Sequence, residues 1–317
     1  MTCVRCKHDG VNRFGKGRKG AQRYRCRDCR ATFSEPCPKP LGNHYTPLDR
    51  AAKIIELLNE GMSVRAVSRI MDVTQGTILN LLLTASGNAR TAHDRVVRGV
   101  RPSYVQCDEL WTFVHTKQGH LQWNDPREWG DAYVWLALDS DTKLIISYHV
   151  GRRTQPHADV FMADLRMRTE GTNFQITTDG LDCYIPAVRE NFGSRIAFAQ
   201  LIKQYRAPEP DSPDWYKAAR FVRTIPSPIS GPVNEDRIST SHIERMNLNV
   251  RTYLRRFTRL ALGFSKSKPH LEAAVALFVA WYDFCRIHKT LRVTPAMEAR
   301  LTDHVWTVAE LIAFSPA

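Results

Sequence analysis

Long apolar runs are missing from this 317-residue chain: the longest, Ala273 to Tyr282, has ten residues, about half of the ~20 that cross a bilayer. The first residues hold Cys and Lys/Arg where a signal peptide would need an apolar stretch. The expectation is a soluble, cytoplasmic protein with no membrane partner. Acidic residues are scarce at both ends. Residues 1–40 carry 11 basic and 3 acidic side chains and 244–300 carry 11 and 4, whereas 101–243 carry 16 and 18. The formal charge of +13 is therefore terminal, which points to a polyanionic partner rather than an evenly basic surface. A disulfide framework is also missing. Four of the eight cysteines form two Cys-x-x-Cys pairs, a pattern that suits metal in a reducing compartment.

Those pairs, Cys3/Cys6 and Cys26/Cys29, are separated by nineteen residues, the spacing of two knuckles that bring four thiolates onto one structural Zn²⁺. Between them lie Arg13, Lys16, Arg18, Lys19, Arg23 and Arg25 among glycines, a basic hairpin suited to phosphate contact. So short and polar a segment cannot bury a core, and metal binding would supply its folding free energy.

Next, Thr46-Pro47 reads as an N-cap with proline at the first helical position, followed by apolar residues at helical spacing (Ala51, Ile54, Ile55, Leu58) up to Gly61. Ser63 caps a second helix with Val64, Val67 and Ile70 inward. After the turn Asp72-Val73, Thr74 starts a third helix carrying Ile78, Leu79, Leu81 and Leu82. This is the pattern of a helix-turn-helix, with Thr74, Gln75, Thr77 and Asn80 as candidate DNA contacts. Residues 87–100 read as a linker.

From Tyr104 the period changes to strands: 104–114, Tyr133 to Leu138, a turn at Asp139 to Lys143, and Leu144 to Val150. A helix over 157–168, a strand from Phe174 to Asp179, a helix over Tyr184 to Phe192 and a strand from Arg195 to Ile202 complete an RNase H-like order. Asp108 falls mid-strand among apolar residues, where an unpaired carboxylate needs a partner such as a metal ion. Asp179 ends a strand that this order places beside it. Asp139, Asp141 and Asp182 read as turn or cap residues. In the helix from Ser241, Ile243, Met246, Val250, Leu254 and Phe257 form the buried stripe. Glu244 lies beside that stripe, followed on one face by Asn247, Arg251 and Arg255, so it supplies a third carboxylate.

Together these stretches resemble the DDE transposases of bacterial insertion sequences, within them the IS-one group. The likeness rests on the two Cys-x-x-Cys pairs, Cys107-Asp108-Glu109, Thr178-Asp179-Gly180, His242-Ile-Glu-Arg-Met-Asn-Leu, Gly263-Phe-Ser-Lys-Ser-Lys and Arg286-Ile-His-Lys-Thr-Leu. The resemblance implies a multidomain α/β chain: zinc ribbon (1–40), helix-turn-helix (41–86), linker (87–100), an RNase H-like (β-β-β-α-β-α-β-α) catalytic domain (101–300) and a C-terminal tail (301–317). It implies Asp108, Asp179 and Glu244 as a catalytic triad holding two Mg²⁺ ions, with Mn²⁺ as substitute, and Arg251 as a basic partner. Asp108 would bridge both ions while Asp179 and Glu244 hold one each, for cleavage and strand transfer at a DNA end. The partners implied are double-stranded DNA, as element ends and target, and at least one further copy of the chain, in a nucleoid-associated bacterial protein. Arg255, Arg256, Arg259, Lys266 and Lys268 are further phosphate-contact candidates. The Pro-rich insertion 204–240 reads either as a DNA-contacting loop or as an exposed linker, and His242 either as an active-site assistant or as a helix cap. Trp123 and Trp129 read as base-stacking or as hairpin-packing residues. Competing readings are a DNA-binding regulator with an inactive body and a structure-specific nuclease.

Overall fold

The computed structural model describes residues 1–17, 22–34, 40–42, 44–206, 219–259 and 261–314. Two compact units result, Met1–Asn43 and His44–Ala317. In the first, β1 (Val11–Lys16), β2 (Gln22–Cys26) and β3 (Thr32–Ser34) form an antiparallel meander. Among its described residues the buried apolar ones are few: Cys3, Cys26 and Leu41. Tyr24 stacks on Phe33 at 6.1 Å between centroids, and Arg23 and Arg25 lie over Phe14.

The second unit begins with α1 (Leu48–Asn59), α2 (Val64–Met71) and α3 (Gln75–Val96). Helix α1 starts one residue later than Thr46-Pro47 suggests, with Pro47 itself at the cap and no side-chain bond there. Ser63 and Thr74 cap α2 and α3 by accepting the backbone N–H three residues on. Between those helices Asp72 adopts φ +47°, the left-handed conformation that Asp tolerates in a tight turn. Ile70, expected inside, is 59% exposed. Gly61, at φ +82°, closes the α1 turn against Thr252, where an added Cβ would sit 2.7 Å from a carbonyl oxygen.

The largest departure from the sequence reading is at 87–100. Gly87 and Asn88 do not open a linker; α3 continues through them to Val96 because Ala85, Ala89, Ala92 and His93 keep its inner face buried. His93, fully buried, meets the Ile145 carbonyl at 3.0 Å and lies 3.6 Å from Asp283. The region 301–317 departs likewise: α9 (Val308–Ala313) buries Val308, Leu311 and Ile312, and Asn88 donates to the Ile312 carbonyl at 2.6 Å.

The sheet holds six strands, β4 (Tyr104–Val114), β5 (Gly130–Asp139), β6 (Ile145–Gly151), β7 (Gln175–Asp179), β8 (Ala197–Arg206) and β9 (Arg220–Ser230), in the order β6-β5-β4-β7-β8-β9. β4, β7 and β8 are parallel to one another and the rest pair antiparallel. This mixed order is consistent with an RNase H-like body. Helices α4 (Gln155–Arg168) and α5 (Tyr184–Phe192) follow β6 and β7; α6 (Ser241–Tyr253) and α7 (Lys268–Ala280) follow β9. Short α8 (Pro295–Glu298) precedes α9. Trp135 of β5, Phe161 and Tyr184 are fully buried, and the Trp135 ring meets each of the other two.

Much of the 204–240 segment is regular despite its prolines. Pro226 and Pro228 lie in β9, which pairs on one side only; an edge strand tolerates residues that cannot donate to a ladder. Pro208, Pro210 and Pro213 lie outside the described residues.

Candidate active site

Two neighbouring parallel strands build the site. Pairing of β4 with β7 ends at Cys107 and Thr178, so Asp108 and Asp179 follow side by side. Successive strand residues face opposite sides of a sheet. Asp108 accordingly faces α6, where Asn247 Nδ2 donates to its Oδ2 at 2.8 Å. Glu109 faces the other way and its side chain is 1% exposed. At the end of β7 Asp179 lies close to both, and one oxygen from each of the three carboxylates falls within 4.8 Å of the others.

Arg153 neutralises part of this cluster. Its Nε donates to Glu109 Oε2 and its Nη2 to Asp179 Oδ2, both at 3.1 Å. Asp179 Oδ1 accepts the Leu181 N–H at 3.0 Å, fixing the turn beyond the strand. Burial pushes the Asp108 carboxyl up to about 6, and the Asp179 charge adds to the rise. Glu109 is pushed up to about 8, again by burial first and by Asp179 second.

Glu244 sits in the first turn of α6, outside that trio. Its Oε1 accepts from Lys203 Nζ at 2.7 Å and from Thr240 Oγ1 at 2.5 Å. Burial alone would raise its pKa, but those two donors hold it below the ordinary value. Asp108 still feels its negative charge. The α6 N-terminus is pinned by Gln106 of β4, whose Oε1 accepts the backbone N–H groups of His242 and Ile243 at 2.9 and 3.1 Å. The His242 ring itself lies 3.5 Å from Lys143, and burial together with that charge lowers its pKa. Arg251 is half-buried; burial and then Arg259 lower its pKa while Asp108 opposes them.

The carboxylate set suits a metal. Three hard oxygen donors converge, and Glu109 Oε1 is a buried atom without a hydrogen-bond partner among the described residues. Such a set is compatible with Mg²⁺. In the first unit, Cys3, Cys6, Cys26 and Cys29 converge too. Their Sγ atoms are 3.6 Å apart in the pair Cys3/Cys29 and 3.5 Å in the pair Cys6/Cys26. A disulfide needs about 2.05 Å, whereas a tetrahedron with Zn–S of about 2.3 Å has edges of about 3.8 Å. The thiols are compatible with zinc. The Cys6 N–H directed at Cys3 lowers the Cys3 pKa to about 6.

The basic candidates have varied settings. Arg13, Lys16 and Arg25 are exposed and Arg23 is half-buried, with Nη2 3.4 Å from Thr32; Arg18 and Lys19 lie outside the described residues. Arg255 and Arg259 are exposed, Arg256 reaches Ser265 at 3.2 Å, Lys266 lies 3.7 Å over Phe264, and Lys268 pairs with Glu272 at 3.5 Å. On α3 the Thr74 hydroxyl serves as cap and is 2.9 Å from that of Thr77, Gln75 turns into a cleft beside Arg255, and Asn80 is exposed. Trp129 stacks on His115 at 3.5 Å, while Trp123 is 97% exposed. Sequence reasoning missed Gln106, Glu109, Arg153 and Lys203. The adjacency of Glu109 to Asp108 was the available signal.

No family model matches the sequence. Among solved structures the chain is similar to a piggyBac transposase synaptic complex with hairpin DNA, at 12% identity over 84% of this chain and 69% of that one, TM-score 0.35. It is also similar to a Mos1 transposase paired-end complex with the left transposon end, at 14% identity over 47% of this chain and 59% of that one, TM-score 0.19. A Mos1 strand transfer complex is similar at 16% identity over 47% and 57%, TM-score 0.19. Likeness at this level carries no inference about activity.

Proposed function

We propose that the chain is a DDE transposase of the IS-one insertion-sequence group, which cuts DNA at element ends and joins the 3′-hydroxyl ends to target DNA. The observation that carries this reading is the convergence of Asp108, Glu109 and Asp179 within 4.8 Å at the ends of adjacent parallel strands, beside a helix bearing Glu244 and arginines. Asp108 and Asp179 of that trio would hold Mg²⁺ or Mn²⁺, joined by Glu244 on exchange of its Lys203 partner, and the metal would supply activation of the attacking oxygen and charge neutralisation at the leaving oxygen.

The chain's own groups prepare that site. Asn247 fixes the rotamer of Asp108, Gln106 fixes the start of α6 and thereby the depth of Glu244, and Arg153 keeps Glu109 and Asp179 from repelling each other. Lys203 holds Glu244 until a stronger cation competes for it. Arg251, one face of α6 further on, would bind the phosphate backbone. Cys3, Cys6, Cys26 and Cys29 would hold one Zn²⁺ in a ribbon whose Arg13, Lys16, Arg23 and Arg25, with the α2–α3 helix-turn-helix, would grip the element's terminal repeat as part of a dimer or larger assembly.

The test is a labelled element-end duplex incubated with target plasmid, Mg²⁺ and protein. Nicked and joined products are expected from the parent, with losses of ~10³-fold or more in Asp108→Ala, Asp179→Ala and Glu244→Ala that still bind DNA, since each loses several kcal/mol of charge stabilisation. Nicking without joining would leave a nuclease; binding without either would leave a regulator.

A further inference from the structure

A cleft of about 720 Å³ opens within the second unit, between α1–α3 and the chain from Leu254 to His270. Its charge is one-sided. Arg65, Arg255, Arg256, Lys266 and His270 line it, and no Asp or Glu does among the described residues. None of the four fixed cations has a carboxylate partner among the described residues, although Lys268 nearby pairs with Glu272. Arg256 is half-buried and donates to the neutral Ser265 hydroxyl at 3.2 Å. Unpaired arginines in a recess need an anion, and planar guanidinium groups favour phosphate. The first turn of α7 adds to this field. The Ser267 hydroxyl is engaged with His270 Nδ1 at 2.7 Å, and no side chain caps the helix.

The remaining wall is apolar, made by Leu58, Met62, Leu79 and Leu254. A phosphate alone has no use for it. The volume is that of a site for a single small ligand rather than a duplex, so phosphate beside an apolar ring describes one nucleotide. Position agrees with this. Glu244 lies nine residues before the end of α6 at Tyr253, roughly 14 Å at helical rise, and Arg255 opens the turn just beyond, a span of about four base-pair steps.

We infer that this cleft takes one unpaired nucleotide of the DNA strand handled by the carboxylates, its phosphate on Arg255, Arg256 and Lys266 and its base on the leucine wall. The inference rests on the nucleic-acid reading above. Fluorescence anisotropy of the full chain compares a blunt duplex with the same duplex carrying about five unpaired nucleotides at one end, and uses dATP as competitor. The frayed end is expected to bind about tenfold tighter, the effect of one buried base. Leu79→Trp, which fills the recess, should bring the ratio of frayed-end to blunt-end affinity close to one, and Arg65→Glu, which reverses an exposed charge at the rim, should lower that ratio. Equal binding of both duplexes by the parent, or a preference that survives in both folded variants, overturns the inference. So does competition by dATP as strong as by the oligonucleotide, which would make this a free-nucleotide pocket. If the preference holds in parent and Asp108→Ala while the parent neither nicks nor joins, the subsite stands and the transposase reading falls; catalysis without the preference gives the reverse.

Discussion

Glu109 shows what a single side chain adds to the site. With its carboxyl raised from 4.5 to about 8 and that of Asp108 from 3.8 to about 6, the folded protein holds protons that the unfolded chain releases at lower pH. Stability contributed by the protonated forms is full below about pH 4 and is lost as pH rises through the folded values. Glu109→Gln removes the larger of these penalties while keeping the shape. In chelator, its melting temperature should match the parent near pH 4 and exceed it by a few °C at pH 8, the scale of ~1 kcal/mol in a chain of this size. A variant less stable than the parent at pH 8 would show that Arg153 more than compensates the buried charge. The meeting of Asp108 and Asp179 was legible in the sequence, as an acid in an apolar strand and an acid before a turn, whereas Glu244, marked by the edge of a buried stripe, lies outside their cluster on Lys203 and Thr240. Glu109 was not legible, because strand alternation alone sends it away from Asp108, and only the end of β7 lying alongside restores the contact. Gln106 was invisible for a simpler reason, since the helix it caps begins 135 residues later.

At the scale of elements, periodicity located α1, α2 and the elements from β4 to β8 but not β9, α7, α8 or α9, and it ended α3 too early where a local breaker was overruled by packing. Gly87 is the instructive case. It reads as a helix stop, but α3 carries on because Ala85, Ala89 and Ala92 have a core to bury. A Cβ at Gly87 would meet nothing within 4 Å, and φ there is helical. Gly87→Ala should therefore stabilise the second unit by about 0.5–1 kcal/mol, seen as a rise of a few °C in melting temperature; no change would mean that the residues are a linker in solution. The Met1–Asn43 unit makes the opposite point. With Cys3, Cys26 and Leu41 as its buried apolar residues, it has almost no core, so metal is expected to supply on the order of 10 kcal/mol of its folding. One zinc per chain is the expected stoichiometry, and Cys3→Ser should make Met1–Asn43 sensitive to protease while the second unit melts unchanged. A ribbon that stays protected without zinc would refute the four-thiolate site.

For the molecule as a whole, the net charge of +13 becomes meaningful once the folded positions are known. The acidic middle supplies the clustered carboxylates Asp108, Glu109 and Asp179, of which Arg153 partly neutralises the last two, while Lys203 of the same middle pairs with Glu244. Some basic residues of 244–300 are likewise spent internally: Lys268 on Glu272, and Arg286 on Tyr253 at 2.7 Å. Arg255 and Arg259, like Arg245, Lys289, Arg292 and Arg300, remain exposed without an ion pair among the described residues, so they are free to displace counterions from DNA. Each phosphate neutralised contributes about −0.9 to the slope of log K against log salt. Arg255→Ala with Arg259→Ala should therefore flatten that slope by about 2 for a duplex, whereas Lys268→Ala should scarcely change it. The contrast separates the two roles that composition alone merges, because a cation already paired within the fold releases no counterion when DNA arrives. A flattening from Lys268→Ala equal to that from an exposed arginine would mean that the Glu272 pair opens on binding, and that the charge free to meet DNA is closer to the full terminal excess.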